Sequence, residues 1–263
     1  MKSVSVVVPT FNSAEYIART IRAIGEQTLT PNEVIFVDDC STDSTAAVIE
    51  GSINLLTRVS TRLIQLPKNS GPGVARNTGW NAASGDYVAF LDADDSWHPQ
   101  KLEIQIAYME SAPWASFSGH HYLVSEQGFS ESFVTGSPGS REVRLHSFLI
   151  RNLFSTPSVV VRRNLKHRFS EDREMAEDYL LWLELLADGE RALLIESKLV
   201  CLHKAAYGAG GLSGQLRRME LKDLRALRIL QRNRRISSAT FLLASAFSYM
   251  KYVRRILRTK ARL

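Results

Sequence analysis

Between residues 3 and 110, β-branched runs alternate four times with stretches of helical periodicity, and no other feature limits the fold so tightly. "SVSVVVP" (3–9), "EVIFVDD" (33–39), "RLIQLP" (62–67) and "DYVAFLD" (86–92) read as strands buried on both faces. Segments 14–27, 41–49, 73–84 and 99–110 read as helices. Tyr16, Ile17, Ile21 and Ile24 share one face of the first, Ser13 stands at its N-cap position, and Pro99 opens the fourth. Right-handed βαβ units of this kind predict an α/β fold with a doubly wound, mostly parallel sheet. The second half is less regular. Strands are expected at 114–124 and 158–163, with short ones at 191–195 and 198–203. A loop or loose hairpin is expected over 125–140, and a helix over 177–189 with Gly189 as its stop. From Leu212 onward the pattern is helical and basic, with a break near 234–239.

Charge is divided unevenly. The chain carries +6 overall, yet residues 217–263 carry +12 and residues 1–216 carry −6. An acidic-leaning body with a separate basic tail is not the pattern of a nucleic-acid binder; it points to a catalytic or binding body with an anion-seeking element. Cys40 and Cys201 are too few for a disulfide scaffold, which fits a reducing, cytoplasmic setting. The apolar run at the N-terminus is broken by Pro9 and Asn12, too early for a signal-peptide core or a membrane span.

In an open parallel sheet, ligands bind beyond the carboxyl ends of the strands. Here those ends read "PTFN" (9–12), "DDCSTD" (38–43), "NSGPGVARN" (69–77) and "DADD" (92–95). Loop polarity and helix capping account for any one of them, "STDST" above all. Four together, two with adjacent carboxylates, point to a ligand site. Asp92, Asp94 and Asp95 repel one another, so a bound cation is the first candidate to reconcile them. The spacing to Glu103 imitates an EF-hand loop, but Trp97 stands where glycine is required and a strand precedes it. A D-x-D at a strand exit suits magnesium or manganese held by one or two carboxylates and a phosphorylated ligand. The glycine-rich "SGPGVARNTG" is neither a Walker loop nor a dinucleotide fingerprint, and Arg76 is suited to neutralising a diphosphate.

"VSVVVPTFN", "VDDCSTDST", "NSGPGVARNTG", "FLDADD" and the later "EDYLLWLEL" stand in the order and spacing of the family 2 glycosyltransferases, which this chain resembles over roughly residues 3–190. The resemblance implies a GT-A fold and inverting transfer from a nucleotide-sugar donor, UDP-linked, to a saccharide or lipid-linked acceptor in bacterial surface-polysaccharide synthesis. It implies that Pro9 and Phe11 line the nucleobase pocket and that Asp39 accepts a hydrogen bond from the base. By the same resemblance Arg76 faces the diphosphate, Asp92 contacts the ribose or sugar, Asp94 holds a divalent cation (Mn2+ or Mg2+), and Asp178 is the catalytic base. The chain departs from the family's pattern at "VCLHKAAYGAGGLSG" (200–214), where His203 stands near the place of a usual arginine and four glycines suggest a loop able to close over the donor. His120 and His121 read as ordinary strand residues, with acceptor binding as the alternative.

The expected organisation is a GT-A domain over 1–215 and a basic amphipathic helical tail over 216–263. Leu243, Ala246, Phe247, Met250, Val253 and Leu257 form one helical stripe, with Lys251, Arg254, Arg255, Arg258 and Arg262 gathered toward the end. The stripe is too short to span a bilayer but suits docking on an anionic membrane surface at the inner face of the cell membrane. Packing of that stripe on the body is the alternative. Two other functions remain open at this point: a sugar nucleotidylyltransferase, which normally has a longer glycine-rich loop after its first strand, and a non-catalytic nucleotide-sugar-binding module.

Overall fold

The computed structural model describes residues 2–129, 134, 136–203 and 212–260. The expected alternation holds: β1 (Val4–Thr10), α1 (Ile17–Gly25), β2 (Glu33–Asp38), α2 (Thr45–Ser52), β3 (Ser60–Gln65), α3 (Pro72–Ala82) and β4 (Tyr87–Phe90) follow in turn. Beyond them come β5 (Asp95–Trp97), α4 (Lys101–Ser111), β6 (Phe117–Val124), β7 (Ser140–Val143), α5 (Leu145–Ile150), β8 (Val160–Arg162), α6 (Glu177–Ala187) and β9 (Ala192–Leu202). Two long helices, α7 (Leu212–Arg232) and α8 (Ser238–Lys260), end the described chain, with the turn between them where the break is predicted.

One sheet runs in the order β3-β2-β1-β4-β8-β6-β9-β5, with β7 pairing to β9. Its first four strands are parallel; β8 joins antiparallel to β4, and the far half is mixed. Strands β1 and β2 are buried on both faces, which explains their unbroken apolar sequences. Val4, Val6 and Val8 point into a core shared with α1, α2 and α4, whereas Val7 points into a core shared with α3 and α6. Helix α7 joins that second core through Ala226, Leu227 and Leu230, so position 215/216 lies inside a helix that packs on the α/β body. Glycine lets α3 lie close to the sheet, because a Cβ at Gly79 would overlap the Val7 side chain.

The chain departs from expectation in the second half. Asp95 does not join the carboxylate cluster at the strand exit; it opens β5, and its side chain is fully buried. The expected strands at 191–195 and 198–203 are one strand, β9, whose pairing with β6 shifts register near His120 and His121. β7 forms at the end of the stretch read as a loop. The order of strands matters for function. Strand β1 lies between β2 and β4, so the connection reverses direction there and opens a crevice at the carboxyl ends of β1 and β4.

Candidate active site

That crevice is a cavity of about 720 Å³ lined by the exits of β1, β2 and β4, the start of α3, segment 170–173, Glu177 and Lys222. All four strand-exit motifs reach it or brace it. Pro9 and Phe11 line one wall, and the Phe11 ring is 45% exposed. The loop after β1 is tied to the loop after β2: Thr42 N donates to Asn12 Oδ1 at 2.8 Å, and Asn12 N donates to Ser41 Oγ at 2.9 Å. Asp38 accepts from Ser41, and Asp43 accepts from Thr45 N at 3.0 Å. Asp38 and the one acid of "STDST", Asp43, therefore cap and brace, as the plainer reading has it. Asp39 differs. It lines the cavity and accepts the backbone N–H groups of Ser70 and Gly71 at 2.6 and 2.7 Å. A carboxylate has about four acceptor positions, so capacity for a ligand remains.

Gly71 adopts φ 97° ahead of Pro72, and the chain turns there into α3. One and a half turns on, Arg76 is buried. Its Nη2 meets Asp92 Oδ1 at 2.7 Å, its Nη1 meets Glu177 Oε1 at 3.1 Å, and its guanidinium lies 5.4 Å from the Phe169 ring centre. Burial opposes its charge, but Asp92 and Glu177 outweigh burial and raise its pKa. Segment 169–170 is locked onto α3. Asn77 and Phe169 exchange two hydrogen bonds, 2.9 and 3.0 Å, and a Cβ at Gly73 would overlap the Ser170 carbonyl oxygen.

Asp92 and Asp94 both face the cavity. Helix α1 fixes the turn that carries them: Arg19 Nη2 donates to Asp94 O at 2.7 Å, and Thr20 Oγ1 donates to Ala93 O and Asp95 O at 2.7 and 2.9 Å. Among the described residues no group of three or more His, Cys, Asp or Glu side chains could hold a metal by itself. Two carboxylates on the wall of this cavity nevertheless suit a divalent cation such as magnesium or manganese, which keep waters and ligand phosphates in their shell.

Glu177 and Asp178 open α6, where the helix dipole favours negative charge. Glu177 lines the cavity and is committed to Arg76. Asp178 lies behind it, accepting from Tyr179 N at 2.6 Å and from Thr156 Oγ1 at 3.3 Å. Burial and the Glu177 charge push its pKa up to about 6, against the opposing pull of Arg76. Of the adjacent pair, Glu177 is thus committed to Arg76, and Asp178 is the one with raised proton affinity.

The histidines fall elsewhere. His203 Nε2 lies 2.7 Å from Ser96 Oγ on β5, near Asp94 in sequence but outside the cavity lining. His120 is fully buried, its pKa pushed down to about 3 by burial, and its Nδ1 lies 2.8 Å from His121 O. The expected glycine-rich lid lies outside the described residues, save for the helical Gly214. Segment 170–173 and Lys222, which no sequence motif singles out, also line the cavity. The polar run "SEDRE" (170–174) just ahead of the acidic pair was the available signal for the segment.

The model of the family described as "Glycosyl transferase family 2" matches residues 5–167. The UDP-Glc:alpha-D-GlcNAc-diphosphoundecaprenol beta-1,3-glucosyltransferase WfgD of Escherichia coli is 32% identical over 189 residues, spanning 70% of this chain and 70% of that protein. The crystal structure of residues 1–349 of Staphylococcus aureus TarS in complex with UDP matches with a TM-score of 0.65 at 26% identity, covering 86% of this chain and 65% of that one. A Pyrobaculum calidifontis mannosyltransferase, PcManGT, in complex with GDP-Man and Mn2+ shares the fold, with a TM-score of 0.72 at 20% identity over 99% of this chain and 73% of that one. The GT-A architecture, the motifs gathered at the switch point and these similarities agree, and the chain belongs to glycosyl transferase family 2.

Proposed function

We propose that this glycosyltransferase moves a sugar, with inversion, from a UDP-linked donor to a saccharide or lipid-linked acceptor in cell-surface polysaccharide synthesis. The observation that carries the reading is the Arg76 bridge, which brings Glu177 to the edge of a cavity ending at Asp92 and Asp94, with Asp178 next to it on α6. Pro9 and Phe11 flank the nucleobase, Asp39 accepts its N–H, Arg76 and Asp92 face the diphosphate and ribose side, and Asp94 holds the cation. A bound magnesium or manganese ion would supply charge to the departing diphosphate. Asp178 takes the proton of the acceptor hydroxyl as its oxygen attacks the anomeric carbon. A UDP donor and a lipid-linked acceptor are supported by the UDP held by TarS and by the substrates in WfgD's name. A nucleotidylyltransferase and a passive binding module are both disfavoured by membership of a glycosyltransferase family and by relatives named as glycosyltransferases.

The α8 helix supports docking at the cytoplasmic face of the membrane. No described helix is long and apolar enough to cross a membrane. Yet the predicted stripe does not pack on the body: Leu243, Met250 and Leu257 are 74%, 59% and 62% exposed, with Arg254 and Arg255 also exposed. Apolar side chains flanked by cations match an anionic interface. Replacing Leu243, Met250 and Leu257 together by Ser should weaken binding to anionic vesicles at least about tenfold, from the apolar burial lost. Flotation of the variant equal to wild type would exclude this surface.

Asp178→Asn keeps shape but cannot accept a proton, so UDP binding should survive while transfer falls roughly 10²–10⁴-fold. Glu177→Gln should cost stability more than chemistry. Near-normal transfer by Asp178→Asn, measured beside UDP affinity and melting temperature, would remove Asp178 from the mechanism.

The rate should also follow the ionisation of Asp178. Glu177 on α6, Arg76 from α3, Asp92 beyond β4 and Asp223 from α7 all act on it or are acted on by it. Its pKa lies above the usual carboxylate range, so the proton-accepting form fills as pH rises through about 6. kcat/KM for acceptor should fall about tenfold per pH unit below that point and level off above it. A profile flat through this region would contradict the assignment.

A further inference from the structure

The cavity wall facing the exits of β1 and β2 is segment 170–173, and α7 braces it. Lys222 Nζ donates to Arg173 O, Arg218 Nη2 pairs with Glu174 Oε1 at 2.6 Å, and Arg225 Nη1 donates to Glu174 O at 3.1 Å. Arg173 in turn donates to Asn69 Oδ1 and lies over Gly71, where a Cβ would come within 3.1 Å of its Nε. Among the described residues three basic side chains line the cavity: Arg76, Arg173 and Lys222. Arg76 is buried and already neutralised by two carboxylates. Arg173 is exposed and Lys222 half-buried, so these two are the cations that an entering anion meets first. Each keeps donors beyond the one it uses within the protein: an ammonium has three and a guanidinium five.

Resting on the donor-site reading above, we propose that Lys222 of α7 and Arg173 are donor-binding residues that contact the diphosphate of the nucleotide sugar from the outer wall. Six carboxylates also line the cavity: Asp39, Asp92, Asp94, Glu171, Asp172 and Glu177. An anionic donor therefore needs positive charge at the mouth as well as a cation at Asp94. Lys222 makes α7 part of the donor site and gives one basic residue of the C-terminal region a partner other than a membrane.

The test is calorimetry of UDP binding in manganese buffer at low and high salt. Lys222→Gln retains a hydrogen-bond donor toward the Arg173 carbonyl but loses the charge. It should bind UDP about tenfold more weakly, the scale of one charge-assisted hydrogen bond, and with a shallower salt dependence. Arg173→Gln should weaken binding in the same direction. Lys222→Arg should keep most of the affinity, and Arg225→Gln, which braces Glu174 outside the cavity lining, should leave it unchanged. Unaltered UDP affinity and salt slope in both Lys222→Gln and Arg173→Gln, or an equal loss in Arg225→Gln, would overturn the proposal. A wild-type protein that binds UDP while the variants match it defeats this proposal alone. A wild type that binds no nucleoside diphosphate defeats the donor-site reading and this proposal with it.

Discussion

A single buried cation joins the two halves of this enzyme. Arg76 leaves water to sit between Asp92, beyond the last strand of the parallel half, and Glu177, at the start of the helix that connects β8 to β9 in the mixed half. Burying a guanidinium alone would be costly, so its position is fixed by where both carboxylates can reach it. The Phe169 ring closes one face. Asn77 and Gly73 hold the 169–170 backbone against α3, so the start of α6 has little freedom to drift from the cavity. Asp178 inherits its place from that arrangement, and burial first, then the Glu177 charge beside it, raises its pKa against the pull of Arg76.

Much of this is legible in the sequence because it is local. Unbroken β-branched runs and helical spacing gave the first four βα units, and the polar strand exits marked the crevice. What escaped is non-local. β5 has only three residues, begins with a charged one, and exists because Asp95, Ser96 and Trp97 pair with Leu202, Cys201 and Val200 far along the chain. β7 likewise depends on pairing with β9. Nothing within four positions of Asp95 says that it turns inward while Asp92 and Asp94 face the cavity. The sequence offers Arg76 to a diphosphate but is silent on its two carboxylate partners, which are 16 and 101 positions away.

The basic C-terminal region divides by function once its packing is known. Helix α7 buries Ala226, Leu227 and Leu230 in the body's core and turns Arg218, Lys222 and Arg225 toward segment 173–174. Helix α8 buries little apolar surface and presents its stripe outward, with Lys251 donating to Ile150 O of α5. One stretch of sequence charge is therefore divided: α7 braces the cavity wall, and α8 carries the exposed stripe proposed to meet an anionic membrane.

The bridge is tested most directly by a double-mutant cycle on Arg76→Gln and Glu177→Gln, followed by urea unfolding. Removing Arg76 leaves two partly buried carboxylates uncompensated and should cost about 3–5 kcal/mol, as for other broken buried pairs. Glu177→Gln should then cost less in the Arg76→Gln background than alone, with a coupling energy of at least about 1 kcal/mol. Strictly additive losses would mean that Arg76 and Glu177 are neighbours without mutual dependence, and the account of how Asp178 is held at the site would fail.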